Sequence, residues 1–432
     1  MPVDDKLKRT HYSAQLDKTL VGQQVRIAGW IEDVRDIGKL AFLTIRDITG
    51  VCQILVSGGN LQPALQAPRH SAVIVTGNVQ ESKAKDFVVE VKVSDFALLS
   101  KANHPLPIDP TGRVESGLDK RLDARALDLR NPKVAAIFRL RSAGLNIIRN
   151  ILSLQGFIEV NTPKIIGSAS EGGANLFGFE YFGKRKAYLA QSPQLYKEQL
   201  MVGLDRVFEI GPYFRAENSH TVRHLSEFIS IDIEAAFLDY EDVMDILEGL
   251  VKSVVTELHK KHKADLGAAG AHEISVTKIE RLTYQQCVEE LTKEGEKLQF
   301  GDDLSDSALR RLGELHPGFY FIIDWPLKLK PFYIHEKEGD PKVSKSFDLQ
   351  YNYLELASGG RRLHDPMKLR SRLAEQHLSP AGFGDHLKAF DWGMPPHSGW
   401  GLGYDRLMMV LTSSQNVRDV VLYPRDSERL TP

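Results

Sequence analysis

The chain has 432 residues, 42% hydrophobic and 26% charged, enough for two or three soluble domains that each bury a core. A formal net charge of −2 excludes a global basic field, so any nucleic-acid site must be a local patch. Cys52 and Cys287 are the only cysteines, which supports neither a disulfide framework nor a cysteine metal site and suits a reducing cytosol. The first residues lack an apolar signal core and no run of about twenty apolar residues occurs, so a cytoplasmic protein without membrane contact is expected.

Between Val21 and Leu99, five short alternating runs (VRIAGWIEDVRD, LAFLTIRD, VCQILVSG, AVIVTGNV and FVVEVKVSDFALL) are separated by Gly, Asp and Ser turns. Five strands without intervening helices predict a small closed barrel of the OB type over 1–103. Single-stranded nucleic acid would lie on its open face, where rings and basic side chains meet bases. Taken alone, Trp30 and Phe42 read as ordinary barrel packing. The proline-rich NHPLPIDPTG and the charged run after it make 104–133 a hinge or linker.

The remainder, 134–432, is expected to be one larger domain with a small inserted region at about 263–320. A helix from Val134 to Leu154 places Ile137, Leu140, Ile147, Ile148, Ile151 and Leu152 on one face, and FIEVNTP then reads as a strand closing on Pro163. The Gly/Ser-rich loop Gly167 to Phe177 carries Glu171 and paired glycines suited to a moving lid. QSPQLYK, Gln191 to Lys197, opens a helix whose first turn holds Gln194 and Lys197, where an anion is favoured.

From Arg206 to Phe237, two period-two runs joined by a polar loop predict a long antiparallel hairpin. Its polar face holds Arg215, Glu217, Arg223, His224, Glu227 and Asp232, too much charge for a plain core strand. Further on, Asp348, Glu355 and Ser358 offer hard oxygen ligands for Mg²⁺ beside a triphosphate. The last dense stretch, GMPPHSGWGLGYDRLMMVL, is a glycine-rich turn in which Arg406 opens an apolar helix. Neither a P-loop nor a Rossmann fingerprint appears.

F-R-A-E followed by a loop, R-H-L-S-E-F and I-D-I-E resembles motif 2 of the class II aminoacyl-tRNA synthetases, in the aspartate/asparagine/lysine subclass (IIb). The helix, strand and Pro163 match motif 1, and G-x-G-x-x-R ending at Arg406 matches motif 3. The barrel pattern G-W-x(4)-R-D-x-G-x(3)-F…R-D…G-x-x-Q agrees, so the resemblance covers nearly the whole chain. It implies an α+β fold: an OB barrel followed by an antiparallel catalytic sheet flanked by helices. Within the family the chain looks like the aspartate enzymes of archaeal and eukaryotic type. That implies L-aspartate, ATP with Mg²⁺ and tRNA(Asp), leaves tRNA(Asn) open as a second acceptor, and implies a homodimer through motif 1.

The resemblance also assigns roles. Arg215, Arg406 and Lys197 carry catalysis, with Arg215 on the α-phosphate and Arg406 on the γ-phosphate. Glu217 accepts from the adenine amino group and Phe228 stacks on the base. His224 lies near the outer phosphates, and Arg223, Leu225, Glu355, Gly403, Tyr404 and Asp405 complete the ATP site. Glu171, Gln194, Lys197, Arg215, Asp232, Ser358 and Arg362 bind aspartate, with Asp232 holding the cations in place. An asparagine substrate would leave Lys197 unpaired, a cost of about 2–5 kcal/mol. Asp348, Glu355 and Ser358 hold the metal. On the barrel, Phe42 stacks on the central anticodon base, while Arg35, Gln53 and Glu90 hydrogen-bond base edges. Glu32 either faces water or accepts from the cytosine N4 amine that distinguishes tRNA(Asp) from tRNA(Asn), worth about 1–3 kcal/mol. Two rivals are an asparaginyl enzyme, against which Lys197 and Asp232 count, and an RNA-binding relative with decayed catalytic sites, which would need none of Arg215, Glu217, Glu355 and Arg406.

Overall fold

The structure, a computed structural model, describes residues 7–167, 176–217 and 221–432. The chain divides into two compact units, Met1–Ala135 and Ala136–Pro432.

In the first unit, β1 (Gln24–Asp36), β2 (Leu40–Arg46), β3 (Val51–Ser57), β4 (Ala72–Glu81) and β5 (Val89–Ser100) close into a barrel of order β1-β2-β3-β5-β4. Alternation builds it: Ala41, Leu43 and Ile45 point into the core, while Phe42 and Thr44 between them stay half-buried on the outside. One irregularity matters. Ile31 pairs with Ile45 and Asp33 with Thr44, so Glu32 is the extra residue of a β-bulge. The segment after the barrel packs onto it: the Arg130 guanidinium lies 4.3 Å from the Trp30 ring centroid and donates to the His70 carbonyl at 3.1 Å. Arg113 pairs with Asp33 at 2.6 Å.

The second unit is organised on an eight-stranded sheet. In chain order the strands are β6 (Ile158–Glu159), β7 (Arg206–Phe214), β8 (Glu227–Ala236), β9 (Glu280–Thr283), β10 (Phe319–Ile323), β11 (Ser346–Tyr351), β12 (Leu354–Arg361) and β13 (His397–Gly403). Their order is β9-β10-β11-β12-β13-β8-β7-β6. The interior pairs are antiparallel as expected, but the two edge pairs, β9–β10 and β6–β7, are parallel, so the sheet is mixed. The predicted hairpin is β7–β8, with Glu209 opposite Asp232 and Val207 opposite Glu234. Residues within the expected insertion contribute β9, which lengthens the sheet and packs with Tyr284, Cys287, Leu291 and Leu312 in a separate apolar cluster.

Four helices position the site: α1 (Pro132–Leu154), α2 (Gln194–Leu200), α3 (Tyr240–Lys261) and α4 (Tyr404–Leu411). Asp239 caps α3 in a capping box with Asp242, and a stripe of Val243, Leu247, Leu250, Val251, Val254 and Leu258 buries that helix on the sheet. Trp400, on β13, is fully buried beneath it and donates its indole N–H to the Val243 carbonyl at 3.0 Å.

Candidate active site

A deep cavity opens over the face formed by β8, β12 and β13. One end is built of fully paired charges. Arg362 lines the cavity, is 3% exposed at its side chain, and donates from Nε to Glu234 Oε1 at 3.1 Å and from Nη2 to Oε2 at 3.4 Å. Burial works against its charge, but the Glu234 carboxylate more than compensates and raises its pKa above the ordinary value. Lys197, on α2, donates to Asp232 Oδ1 at 3.0 Å and to the Trp400 carbonyl at 3.2 Å. Asp232 also accepts from Ser230 at 2.6 Å.

Two expectations change here. Lys197 does not reach the cavity wall: Asp232 lines the cavity and Lys197 sits behind it. Because Lys197 already has a carboxylate and a carbonyl, it is not left unpaired without a substrate carboxylate, and the full cost of an orphaned charge does not apply. The acid that holds Arg362 is Glu234, which the sequence reading missed. It stands two residues from Asp232 on the same face of β8, so period two was the available signal.

The glycines of β13 make this charge cluster possible. Gly399 lies opposite Glu234 and Gly401 opposite Asp232. A Cβ on Gly399 would fall 2.2 Å from Glu234 Oε2, and one on Gly401 3.0 Å from Asp232 Oδ1. These two glycines therefore leave space for protein carboxylates, where the sequence suggested only a glycine-rich turn. Gly403, by contrast, lines the cavity with nothing closer than 3.6 Å to an added Cβ.

The other end gathers Arg215, Glu217, Arg223, His224, Leu225, Phe228 and Arg406, all on the cavity wall as expected. Arg215 lies 5.1 Å from the Phe228 ring centroid and 4.0 Å from Glu217. Arg406, at the start of α4, donates to the Glu355 carbonyl at 2.9 Å and to the Arg223 carbonyl at 3.4 Å. Burial, with the Arg215 and Arg223 guanidiniums nearby, pulls Arg406 below its ordinary pKa, so this end favours an incoming anion. His224 accepts from or donates to Thr221 at 2.6 Å; burial first and then Arg406 lower its pKa, which keeps the ring neutral. Arg223 is held by Asp306 at the head of the helix Asp306–Leu315, a contact not foreseen.

Tyr404 is a correction. It is fully buried and donates to the Arg141 carbonyl at 2.5 Å, so it belongs to the core beneath α4 and not to the nucleotide site. Its neighbour Asp405 does line the cavity, where Oδ2 accepts from the Ile229 amide at 2.9 Å and Oδ1 pairs with Arg141 at 2.6 Å.

The acidic ribbon is β11–β12. Asp348 pairs across from Ser358, and Gln350 from Glu355, leaving Leu356 as the extra residue of a second bulge. That bulge turns Glu355 and Ser358, three residues apart, onto the same cavity face, where strict alternation would oppose them. Asp348 lies deeper, with Oδ2 accepting from Lys330 at 2.8 Å and a buried Oδ1 that has no hydrogen-bond partner. Crowding by protein and then by the Asp348 carboxylate raises the pKa of Glu355, even though its side chain opens into the cavity. Among the described residues, no three His, Cys, Asp or Glu side chains form a metal cage of their own. Glu171 lies outside the described residues.

On the barrel, Arg35 pairs across from Phe42, and Gln53 lies between Thr44 and Glu90, so the four expected residues share one outer face. Gln53 and Glu90 are buried and already bonded: Gln53 Nε2 donates to Glu90 Oε2 at 2.6 Å, and Gln80 donates to Oε1 at 2.7 Å. Glu32 is corrected in both of its expected roles. The bulge turns its carboxylate onto Arg46, which donates to both oxygens, so Glu32 neither faces water nor presents a free acceptor.

Comparison with known proteins agrees with this geometry. Residues 117–427 match the family described as tRNA synthetases class II (D, K and N), and residues 25–99 match the OB-fold nucleic acid binding domain. An aspartate–tRNA(Asp/Asn) ligase of Methanothermobacter thermautotrophicus is 45% identical over 99% of both chains. One from Archaeoglobus fulgidus is 45% identical over 98% of this chain and 99% of its own. Among solved structures, an asparaginyl-tRNA synthetase of Pyrococcus horikoshii complexed with asparaginyl-adenylate has a TM-score of 0.92 at 31% identity, covering 99% of this chain and 100% of that one. An aspartyl-tRNA synthetase of Entamoeba histolytica has a TM-score of 0.88 at 32% identity, covering 98% and 93%. With the barrel, the mixed sheet and the cation-lined cavity in one chain, this protein belongs to the class II tRNA synthetases of the D, K and N group, enzymes that join amino acids to tRNA.

Proposed function

We propose that the chain activates L-aspartate with ATP and transfers it to tRNA(Asp), and to tRNA(Asn) as well. One observation carries the amino-acid choice: a buried arginine, Arg362, on the cavity wall with Lys197 close behind, both locked by Asp232 and Glu234. The guanidinium that this paired set presents on the wall, Arg362, favours a side-chain carboxylate over a neutral amide. The relatives named aspartate–tRNA(Asp/Asn) ligase support the same substrate and both acceptors.

The α-carboxylate of aspartate attacks the α-phosphorus of ATP in line, and pyrophosphate leaves. The terminal ribose 3′-hydroxyl of tRNA then attacks the adenylate carbonyl, and AMP leaves. Positioning and charge neutralisation carry both steps. Arg215 takes the α-phosphate and Arg406 the γ-phosphate, each suited by its planar, permanently charged guanidinium. Phe228 stacks on adenine, Glu217 accepts from its amino group, and His224 and Arg223 face the outer phosphates. Gln194 and Ser358 contact the amino acid.

Glu355 and Asp348, helped by Ser358, would hold Mg²⁺. Burial and then the Asp348 carboxylate raise the Glu355 carboxyl, and Asp348, with one oxygen on Lys330, keeps a buried oxygen without a partner, so the pair has room for further positive charge. Bound there, Mg²⁺ would neutralise phosphate charge. Leu154, Ile158 and Ile165 are exposed apolar residues in the motif 1 region and support a homodimer through that face. No helix among the described residues is long and apolar enough to cross a membrane, which accords with work in the cytoplasm.

Anticodons for aspartate and asparagine differ only in the third base, C against U. With Glu32 engaged by Arg46, the carboxylate that could have read cytosine is occupied, which supports service of both tRNAs. Aspartylation of the two transcripts by the purified protein tests this. Rates within about tenfold are expected, since one base contact is worth about 1–3 kcal/mol. A preference for tRNA(Asp) beyond about tenfold, the range that one working base contact of about 1–3 kcal/mol reaches, would overturn it.

A further inference from the structure

Behind the amino-acid end lies a buried acid that no step above uses. Glu198, on α2, is fully buried, and its Oε1 accepts from Gln194 Nε2 at 2.5 Å. Its Oε2 makes no hydrogen bond and faces Nε2 of His386 at 3.5 Å and Nε2 of His397 at 3.9 Å. Neither of those nitrogens has a hydrogen-bond partner. Each ring is held from its other side: His386 Nδ1 lies 3.2 Å from the Leu195 carbonyl and His397 Nδ1 2.7 Å from the Pro395 carbonyl.

A carbonyl only accepts, so each Nδ1 carries a proton, and each ring turns its Nε2 edge toward Glu198. Burial pushes the Glu198 carboxyl up, but His397, His386 and the Arg362 guanidinium around it bring it below the ordinary range. It stays a carboxylate.

The consequence reaches the cavity through Gln194, which lines it. A carboxylate offers lone pairs only, so Gln194 must turn its NH₂ group toward Glu198. Its carbonyl is then left for the cavity, where an oxygen attracts an ammonium group and repels a carboxylate. We propose that Glu198, backed by His386 and His397, is a positioning residue that locks the Gln194 amide with its carbonyl toward the cavity, tuned to the α-ammonium group of the amino acid. This rests on the aspartate reading given above.

Glu198→Gln tests it, because an amide of equal size can pair with Gln194 either way round. The readouts are the aspartate KM in ATP–pyrophosphate exchange and the inhibition constant of succinate, which is aspartate without its amino group. The aspartate KM should rise about tenfold or more while succinate inhibition and the ATP KM hardly move, as expected for a weakened hydrogen bond to a charged group. Parallel losses for aspartate and succinate would mean general damage to the pocket, and no loss for either would mean no positioning; both overturn the proposal. Gln194→Met supplies the second arm: in that background Glu198→Gln should leave the aspartate-to-succinate ratio unchanged, and additive losses would overturn the link through Gln194. If the parent protein shows no aspartate-dependent exchange, the aspartate reading itself falls, and this proposal with it.

Discussion

At the amino-acid end of the cavity, Lys197 and Arg362 are each 3% exposed and sit on their own carboxylates. At the ATP end, Arg215 is 45% exposed and comes no closer than 4.0 Å to Glu217. The physical reason for the contrast is solvation. A cation removed from water must be paired inside the protein, or it costs several kcal/mol, whereas one that stays wet can wait for its partner. Selection among small amino acids needs geometry that does not move, so charge is buried and neutralised in advance. A triphosphate brings its own charge, so its cations are crowded together without a carboxylate for each: Arg215 is left open, while Arg406 is partly buried on backbone carbonyls and Arg223 is held by Asp306. The two ends therefore fail in different ways when a residue is removed.

The largest effect is expected at the open end. Arg406→Ala should lower adenylation by about 10³-fold or more, the size seen when a cation that meets phosphate charge is lost. The melting temperature should change little, because among the described residues this side chain donates to two backbone carbonyls and to no carboxylate. A large drop in stability with modest loss of rate would break the contrast.

Lys197→Met attacks the closed end and should lower the kcat/KM for aspartate by about 10²-fold with the ATP KM near normal. Here stability should fall too, by about 3–5 kcal/mol, because Asp232 would stay buried without its cation. Unchanged melting would show that the pair is less buried than described.

Glu355 sharpens the comparison through pH. Its carboxyl is raised by crowding and by Asp348, and the cation site needs the charged form. Adenylation should therefore be lost as pH falls through a value above the ordinary glutamate pKa of about 4.3. Glu355→Gln should be slower at every pH and lack that acid limb, with tRNA retention on filters unchanged. The same acid limb in the variant would remove Glu355 from this role.

The smallest effect is expected on the barrel. Glu32→Ala frees Arg46 but removes no base reader, so the ratio of tRNA(Asp) to tRNA(Asn) charging should move less than about threefold. A true base contact would shift it by about 1–3 kcal/mol.

What the sequence made legible follows local periodicity. The hairpin β7–β8 and the barrel strands alternate cleanly, and Arg215, Glu217 and Asp232, expected on one polar face, do line the cavity. Phe228 was implied by the resemblance alone, and Glu227, expected on that face too, is an odd number of residues from Asp232 and is not on the cavity wall. What stayed hidden depends on partners far along the chain or on a broken period. Glu234 sits two residues from Asp232, yet its meaning comes from Arg362, 128 residues away. Both bulges add one residue to a strand: at Glu32 the addition turns a carboxylate onto Arg46, and at Leu356 it brings Glu355 and Ser358 to the same face. The resemblance placed Tyr404 in the ATP site with Gly403, Asp405 and Arg406, but the first turn of α4 points it the other way, into the core.

Fold alone does not choose the amino acid, since an asparaginyl enzyme and an aspartyl enzyme both superimpose on this chain. The direct test is ATP–pyrophosphate exchange with L-aspartate and L-asparagine side by side. If the buried set of Lys197, Arg362, Asp232 and Glu234 reads a carboxylate, aspartate should support exchange and asparagine should be at least about 10²-fold poorer in kcat/KM. Exchange with asparagine equal to or better than that with aspartate would contradict it.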